Sequence, residues 1–156
     1  MAGRMRPIYP LRPGISRLVR TYAGIAETVQ WLADTGHPMA LVTSKSDWMA
    51  AKAMALVGLD RLIPTIVGCD TCVNHKPHPE PVERALALLG AEPANALFVG
   101  DSPHDVESGR AAAVSTVGVT WGAFSRPELE RAGADVVIDH VEELRSVVAR
   151  FRDPTG

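Results

Sequence analysis

The run Ala96-Leu-Phe-Val-Gly-Asp-Ser-Pro-His-Asp-Val-Glu-Ser-Gly-Arg-Ala-Ala-Ala-Val114 leaves its chain few choices of fold. Ala96 to Val99 is a continuous apolar segment of strand length, Gly100-Asp101-Ser102-Pro103 is a turn, and the Ala-rich stretch to Ala113 has the composition of a packed helix. Pro103 suits the first helical position, and Asp101 or Ser102 suits its cap. A buried strand that turns directly into a helix predicts a parallel α/β sheet. Asp101 and Asp105 then fall at the carboxyl end of the strand, where open sheets of this kind hold their ligands. Two carboxylates there suit a hard cation such as Mg²⁺. A helix cap plus one solvated aspartate accounts for the same residues.

The rest of the chain repeats the alternation. Ile25, Val29, Leu32 and Ala33 fall at helical spacing before Gly36, and Pro38 to Thr43 reads as a buried strand. Ser46 or Asp47 caps a helix whose predicted core face is Met49, Ala53, Leu56 and Val57, ending at Gly58. Thr65 to Gly68 is a short strand; Val82, Ala85, Leu86 and Leu89 stripe a helix that stops at Gly90. After the central unit come a strand over 115–120, a short helix over 126–132, a strand over 135–138 and a terminal helix striped by Val141, Leu144, Val147, Val148 and Phe151. Strand and helix alternate throughout, so parallel pairing with right-handed crossovers is the economical topology. Met1 to Tyr22 is basic, broken by Pro7, Pro10 and Pro13, and has no clean period.

Size and charge bound the function. A chain of 156 residues is one domain's worth. A formal charge of −2, with both signs interleaved, offers no electrostatic footprint for nucleic acid or an anionic membrane. No apolar run approaches the roughly 18 residues that span a bilayer, and two cysteines make no disulfide framework. The expectation is a cytoplasmic protein without nucleic-acid or membrane partners.

Three strand ends carry chemistry in order: Thr43-Ser44, then Lys76-Pro77 before a helix, then Asp101 and Asp105. A hydroxyl beside backbone N–H groups binds an anion, a lysine neutralises phosphate charge, and paired carboxylates hold a metal that bridges to phosphate oxygen. Each has an ordinary structural explanation alone; together they point to a phosphate-and-metal site. Cys69-Asp-Thr-Cys72 with His75 and His78 has metal-ligand spacing, but Pro77 and Pro79 keep the segment irregular, which disfavours zinc and redox roles. Gly100-Asp-Ser102 resembles a serine esterase block without a separately motivated Asp–His pair. A phospho-receiver domain would need its acidic pair early, and here the acidic pair is last.

Leu41-Val-Thr-Ser-Lys45, Lys76-Pro-His-Pro-Glu-Pro81 and Val99-Gly-Asp-Ser-Pro-His-Asp105 resemble the second, third and fourth motifs of the haloacid dehalogenase-like hydrolases, phosphoglycolate phosphatase-like members above all. The resemblance runs from about Tyr22 to the end. It implies a Rossmann-like core over 23–156, with a parallel sheet between helices, and a remnant of a helical cap and linker over 1–22. It implies a Mg²⁺-dependent phosphatase for a small phosphorylated metabolite: Thr43 and Ser44 on the phosphoryl group, Lys76 as catalytic and phosphate-binding cation, Asp101 as metal ligand and Asp105 as metal ligand or its support.

The family's first motif, a strand ending in Asp-x-Asp whose first aspartate attacks phosphorus, has no counterpart in residues 1–156. The expectation is therefore a truncated core without its first strand and most of its cap, inactive as this chain. The alternative is a non-catalytic remnant or a binding module on the same fold. In the resembled family the nucleophile strand lies between the strand ending at Thr43 and the strand ending at Gly100. Without it, either these two pair directly or a slot stays open, lined by Leu41, Leu97 and Val99. An open slot exposes sheet edges, through which the chain is expected to be marginally stable or to form homo-oligomers.

Overall fold

The computed structural model describes residues 20–152. The expected cap-and-linker segment, 1–22, lies outside the described residues apart from Arg20, Thr21 and Tyr22. The elements run α1 (Ile25–Asp34), β1 (Ala40–Val42), α2 (Asp47–Leu56), β2 (Thr65–Val67), α3 (Glu80–Leu89), β3 (Leu97–Gly100), α4 (Pro103–Ala111), β4 (Ser115–Val119), α5 (Arg126–Arg131), β5 (Val136–Ile138) and α6 (Glu143–Arg152), with a 3₁₀ turn at Pro93–Asn95. Every strand pairing is parallel. The expected α/β alternation is the observed one, and no described helix is long and apolar enough to cross a membrane.

Among the described residues the strands form two sheets rather than one, β1-β2 and β3-β4-β5. Successive residues of a strand face opposite sides, and β3 shows which helices cover which face. Phe98 packs against the cluster that holds Val82 and Leu86 of α3, whereas Leu97 packs against Val117, Val119 and Ile138, the cluster that Leu144 and Val147 of α6 also cover. On the β1-β2 side, Ala40 and Val42 pack with Val67, Cys72 and Ala85, so α3 covers the same face of both sheets. On the other face α1 and α6 lie together, the Arg145 guanidinium sitting 5.3 Å from the centre of the Trp31 ring.

Between the sheets lies a cavity of about 720 Å³, lined by Leu41, Leu97 and Val99 among others. Among the described residues β1 and β3 do not pair with each other, which is the second of the two arrangements expected from the sequence. Its effect shows in burial: four of the five residues of β4 are buried, whereas no residue of β1 or β3 is, and Val99 is 38% exposed. A parallel strand between helix layers is normally covered on both faces. Here the missing cover is lateral.

One expectation is corrected at α2. Met49 is half exposed, and the buried residues are Ala50 and Met54. Ser46 caps the helix by accepting the Met49 N–H. Asp47, the other predicted cap, instead accepts the Gly68 N–H at 2.7 Å and the Thr71 hydroxyl, tying the start of α2 to the loop after β2. That tether fixes the rotation of α2 about one residue from the face read off the hydrophobic spacing.

The loop before α3 is held by Glu80, whose carboxylate accepts the backbone N–H groups of Val73 and Asn74 at 2.8 and 2.9 Å and the Asn74 side-chain amide at 2.8 Å. These bonds hold the Glu80 carboxyl below the usual glutamate range, the backbone bond from Val73 contributing most. Ser108 of α4, fully buried, donates to the His78 carbonyl at 2.7 Å. The segment carrying Lys76 is thus anchored at both flanks.

Two outcomes follow from these contacts. Leu129 is wholly buried, and Leu129→Ala is expected to cost about 2–5 kcal/mol in urea unfolding, whereas Leu88→Ala, at a half-exposed position, stays within about 0.5. Glu80 is depressed in the folded state, so its contribution is present above its unfolded value and is lost as pH falls through the folded one. Unfolding curves from pH 7 down to 3 are expected to show an acid loss of stability that shrinks in Glu80→Gln.

Candidate functional site

Strands β1 and β3 deliver their carboxyl ends to one end of the molecule, and the loop carrying Lys76 crosses between them. The side chains that meet there are Ser44, Lys76, Ser102, His104 and Phe124, around a cleft of about 250 Å³. The centre of the arrangement is an ion pair, Lys76 Nζ to Asp105 Oδ1 at 2.6 Å, with side chains only 13% and 9% exposed.

Asp105 is fully engaged. While Oδ1 takes the lysine, Oδ2 accepts the backbone N–H groups of Asp101 and Ser102, each at 3.2 Å, and the Ser102 hydroxyl at 3.0 Å. In return Ser102 Oγ accepts the Asp105 N–H, so the pair closes a capping box on α4, with Pro103 in its first turn. Gly100 makes this possible: a Cβ there would overlap the Asp105 carboxylate. Both oxygens being spoken for, Asp105 is placed to hold the turn and the lysine. Lys76 spends one of its three donors on Asp105 and keeps two for a ligand.

Asp101 has the opposite character. Its side chain is exposed, and no described residue donates to or pairs with its carboxylate. It lies over Gly122, where a Cβ would overlap it, so the turn after β4 leaves room for that carboxylate by having no side chain. Among the described residues no three His, Cys, Asp or Glu side chains converge as a metal cage. A cation held by Asp101 alone would have to keep most of its water.

The predicted hydroxyls divide. Ser44 lines the cleft, whereas Thr43 Oγ1 accepts the Lys45 N–H at 3.2 Å and so shapes the turn that presents Ser44. Thr43 is held from behind, its own N–H donating to the Val67 carbonyl. The Cys69–Cys72 pair stands apart from this cleft. Burial pushes both thiols up, and the Asp70 carboxylate adds to this at Cys69, so neither is poised as a thiolate. The His78 Nδ1 accepts the Glu80 N–H, which makes it a structural group of the loop.

Four contributors were not foreseen: His104 and Phe124 in the cleft, Gly122 beneath Asp101, and Asp47 tying two strand-end loops together. One signal was available for Gly122 and Phe124. They follow β4, which neighbours β3, so its carboxyl end belongs to the same rim as Gly100.

The family model for haloacid dehalogenase-like hydrolases matches residues 13–119. The pyrophosphatase PpaX of Bacillus mycoides (strain KBAB4) is 37% identical over 134 residues, covering 86% of this chain and 62% of that protein. Among solved structures, a predicted phosphoglycolate phosphatase from Haemophilus somnus 129pt superposes with a TM-score of 0.77 at 27% identity, covering 82% of this chain and 57% of that one. A hydrolase from Pseudomonas syringae gives 0.74 at 27% identity, over 81% and 58%. The chain thus spans about three fifths of the length of the relatives it matches. The three motifs, the strand order around them and the match over residues 13–119 place this chain in the haloacid dehalogenase-like hydrolase family.

Proposed function

We propose that residues 20–152 form the phosphate- and metal-binding part of a Mg²⁺-dependent phosphatase for a small phosphate monoester, similar to phosphoglycolate phosphatase. The observation that carries this reading is Lys76, locked onto a buried carboxylate yet with two donors left for the cleft that Ser44 lines. A phosphoryl group in flight spreads negative charge over its oxygens, and preorganised cations and N–H or O–H donors stabilise that charge more than the ground state. Lys76 supplies the cation. Ser44 supplies a hydroxyl, and the turn that Thr43 shapes supplies backbone N–H groups. Mg²⁺, which neutralises phosphate oxygen charge when bound, would be held by Asp101, with Asp105 fixing the loop that carries it. A relative named as a pyrophosphatase and a neighbour described as a phosphoglycolate phosphatase support the same class of chemistry.

The step that this chain does not supply is covalent attack on phosphorus. No Asp-x-Asp occurs in its 156 residues, and its first aspartate, Asp34, ends α1. This favours a second reading for the chain by itself: a module that binds phosphate without hydrolysing it.

Purified protein is expected to turn over p-nitrophenyl phosphate no faster than buffer. Mg²⁺ binding by calorimetry is expected to be weak and to vanish in Asp101→Asn. A tight site indifferent to that change, or hydrolysis lost with it, would overturn the metal assignment or the inactivity respectively. Lys76→Met is expected to abolish binding of inorganic phosphate and to cost about 1–3 kcal/mol of stability, since it leaves Asp105 without its counter-charge.

A further inference from the structure

The loop that joins β4 to α5 reaches the functional site at two points. Gly122 lies beneath the Asp101 carboxylate, and Phe124 lines the cleft. Trp121 packs against the cluster of Val117, Val119 and Ile138, which seats the start of the loop in the core. Both stems are fixed. The Thr120 N–H donates to the Ile138 carbonyl at 3.1 Å, and Glu128 accepts the Ser125 N–H and hydroxyl at 2.8 and 2.7 Å.

The two stems also send side chains to one carboxylate from a third element. Asp139, just after β5, accepts the Thr120 hydroxyl on Oδ1 at 2.7 Å and Arg126 Nη2 on Oδ2 at 2.8 Å. Its own N–H and that of His140 donate to Glu143 Oε1, which ties the residue to α6. Thr120 first, then Arg126, hold the Asp139 carboxyl below the usual aspartate range. The side chains of Arg126 and Asp139 are 40% and 51% exposed, and an ion pair that open to water adds little to stability. Its effect is geometric: the carboxylate joins the two ends of the loop.

Asp101 depends on that geometry. No described residue donates to its carboxylate, so the group is placed by the shape of the turn beneath it, where Gly122 leaves the room it occupies. A loop free to shift at either stem would move Gly122 and release Asp101 to other directions.

We propose that Asp139 is a positioning residue for the cation site. By holding Thr120 and Arg126 together it fixes Gly122 under Asp101, and so the direction in which Asp101 presents its carboxylate to Mg²⁺. Asp139 acts through the loop and is not itself a ligand. It lies outside the three motifs, on a strand end to which the sequence assigned no chemistry. The phosphate cradle is held from elsewhere, Lys76 by Asp105 and the Ser44 turn by Thr43, so it does not share this dependence. The inference rests on the reading of Asp101 as the Mg²⁺ ligand.

The test titrates the full chain with magnesium chloride and, separately, with inorganic phosphate, following backbone amides by NMR. In Asp139→Ala the Mg²⁺ dissociation constant is expected to rise about tenfold, the lower end of what partners outside a metal's own ligands contribute. The phosphate constant is expected to stay within about twofold, as for an independent site. Thr120→Val removes only the hydroxyl and is expected to weaken Mg²⁺ in the same way, whereas Thr120→Ser keeps the hydroxyl and restores the affinity. The Gly122 amide is expected to shift in Asp139→Ala and Thr120→Val before any Mg²⁺ is added.

Unchanged Mg²⁺ affinity in both Asp139→Ala and Thr120→Val would overturn the inference and leave the Asp101 reading standing. Equal weakening of Mg²⁺ and phosphate would overturn it as well, since Asp139 would then support the fold in general. If the unaltered chain binds no Mg²⁺, or binds it equally well as Asp101→Asn, the Asp101 reading falls and this inference falls with it.

Discussion

A single buried carboxylate organises the functional end of this molecule. Asp105 joins the turn after β3, the first turn of α4 and the lysine of a loop 29 residues upstream. Burying that charge alone would cost several kcal/mol, so its four donors are as much a condition of the fold as a preparation of the site. Ser108, one turn further along α4, holds the same upstream loop through the His78 carbonyl. Helix α4 therefore clamps the Lys76 segment at two points, and the lysine arrives at the cleft with its position already set. Preorganisation of this kind is what a site that stabilises developing negative charge requires.

The legible parts of the sequence were those in which local chemistry and tertiary role coincide. The β3–α4 unit was readable because an apolar run, a turn and a helix-starting proline all name the same boundary. Lys76 and Asp105 were singled out through their motifs, but their mutual bond was not, since no periodicity links positions 76 and 105. Asp105 was assigned to metal or to its support, and the four donors that surround it could not be read from the sequence. Asp47 shows a similar limit. Aspartate at a helix start reads as a cap, yet a glycine and a threonine more than 20 residues away claim its carboxylate. Gly122 was silent because a missing side chain has no signature until its neighbour, Asp101, is placed over it.

The exposure of β1 and β3 follows from composition as well as from pairing. Both strands are continuous apolar runs, the pattern of strands that expect neighbours on each side and helices on each face. Nothing in Ala40–Val42 or Leu97–Gly100 blunts an edge: there is no lysine, no proline and no bulge. The sequence was written for interior strands, and within the described residues each has one partner. The helices make up part of the difference, with α3 filling one face across both sheets and α1 meeting α6 on the other.

The way α3 spans the gap has a mechanical consequence. Hydrogen-bonded ladders resist sliding, because a shift by one residue breaks every bond and reverses every side chain. Apolar side-chain contacts are non-directional and tolerate small displacements. Among the described residues the two half-sheets are joined by the packing of Val82, Ala85 and Leu86 and by the Lys76–Asp105 and Ser108–His78 bonds rather than through a ladder, so the coordinate along which one half-sheet would shear past the other strains those contacts but no ladder. That coordinate is also the one that sets the separation of Ser44 from Asp101.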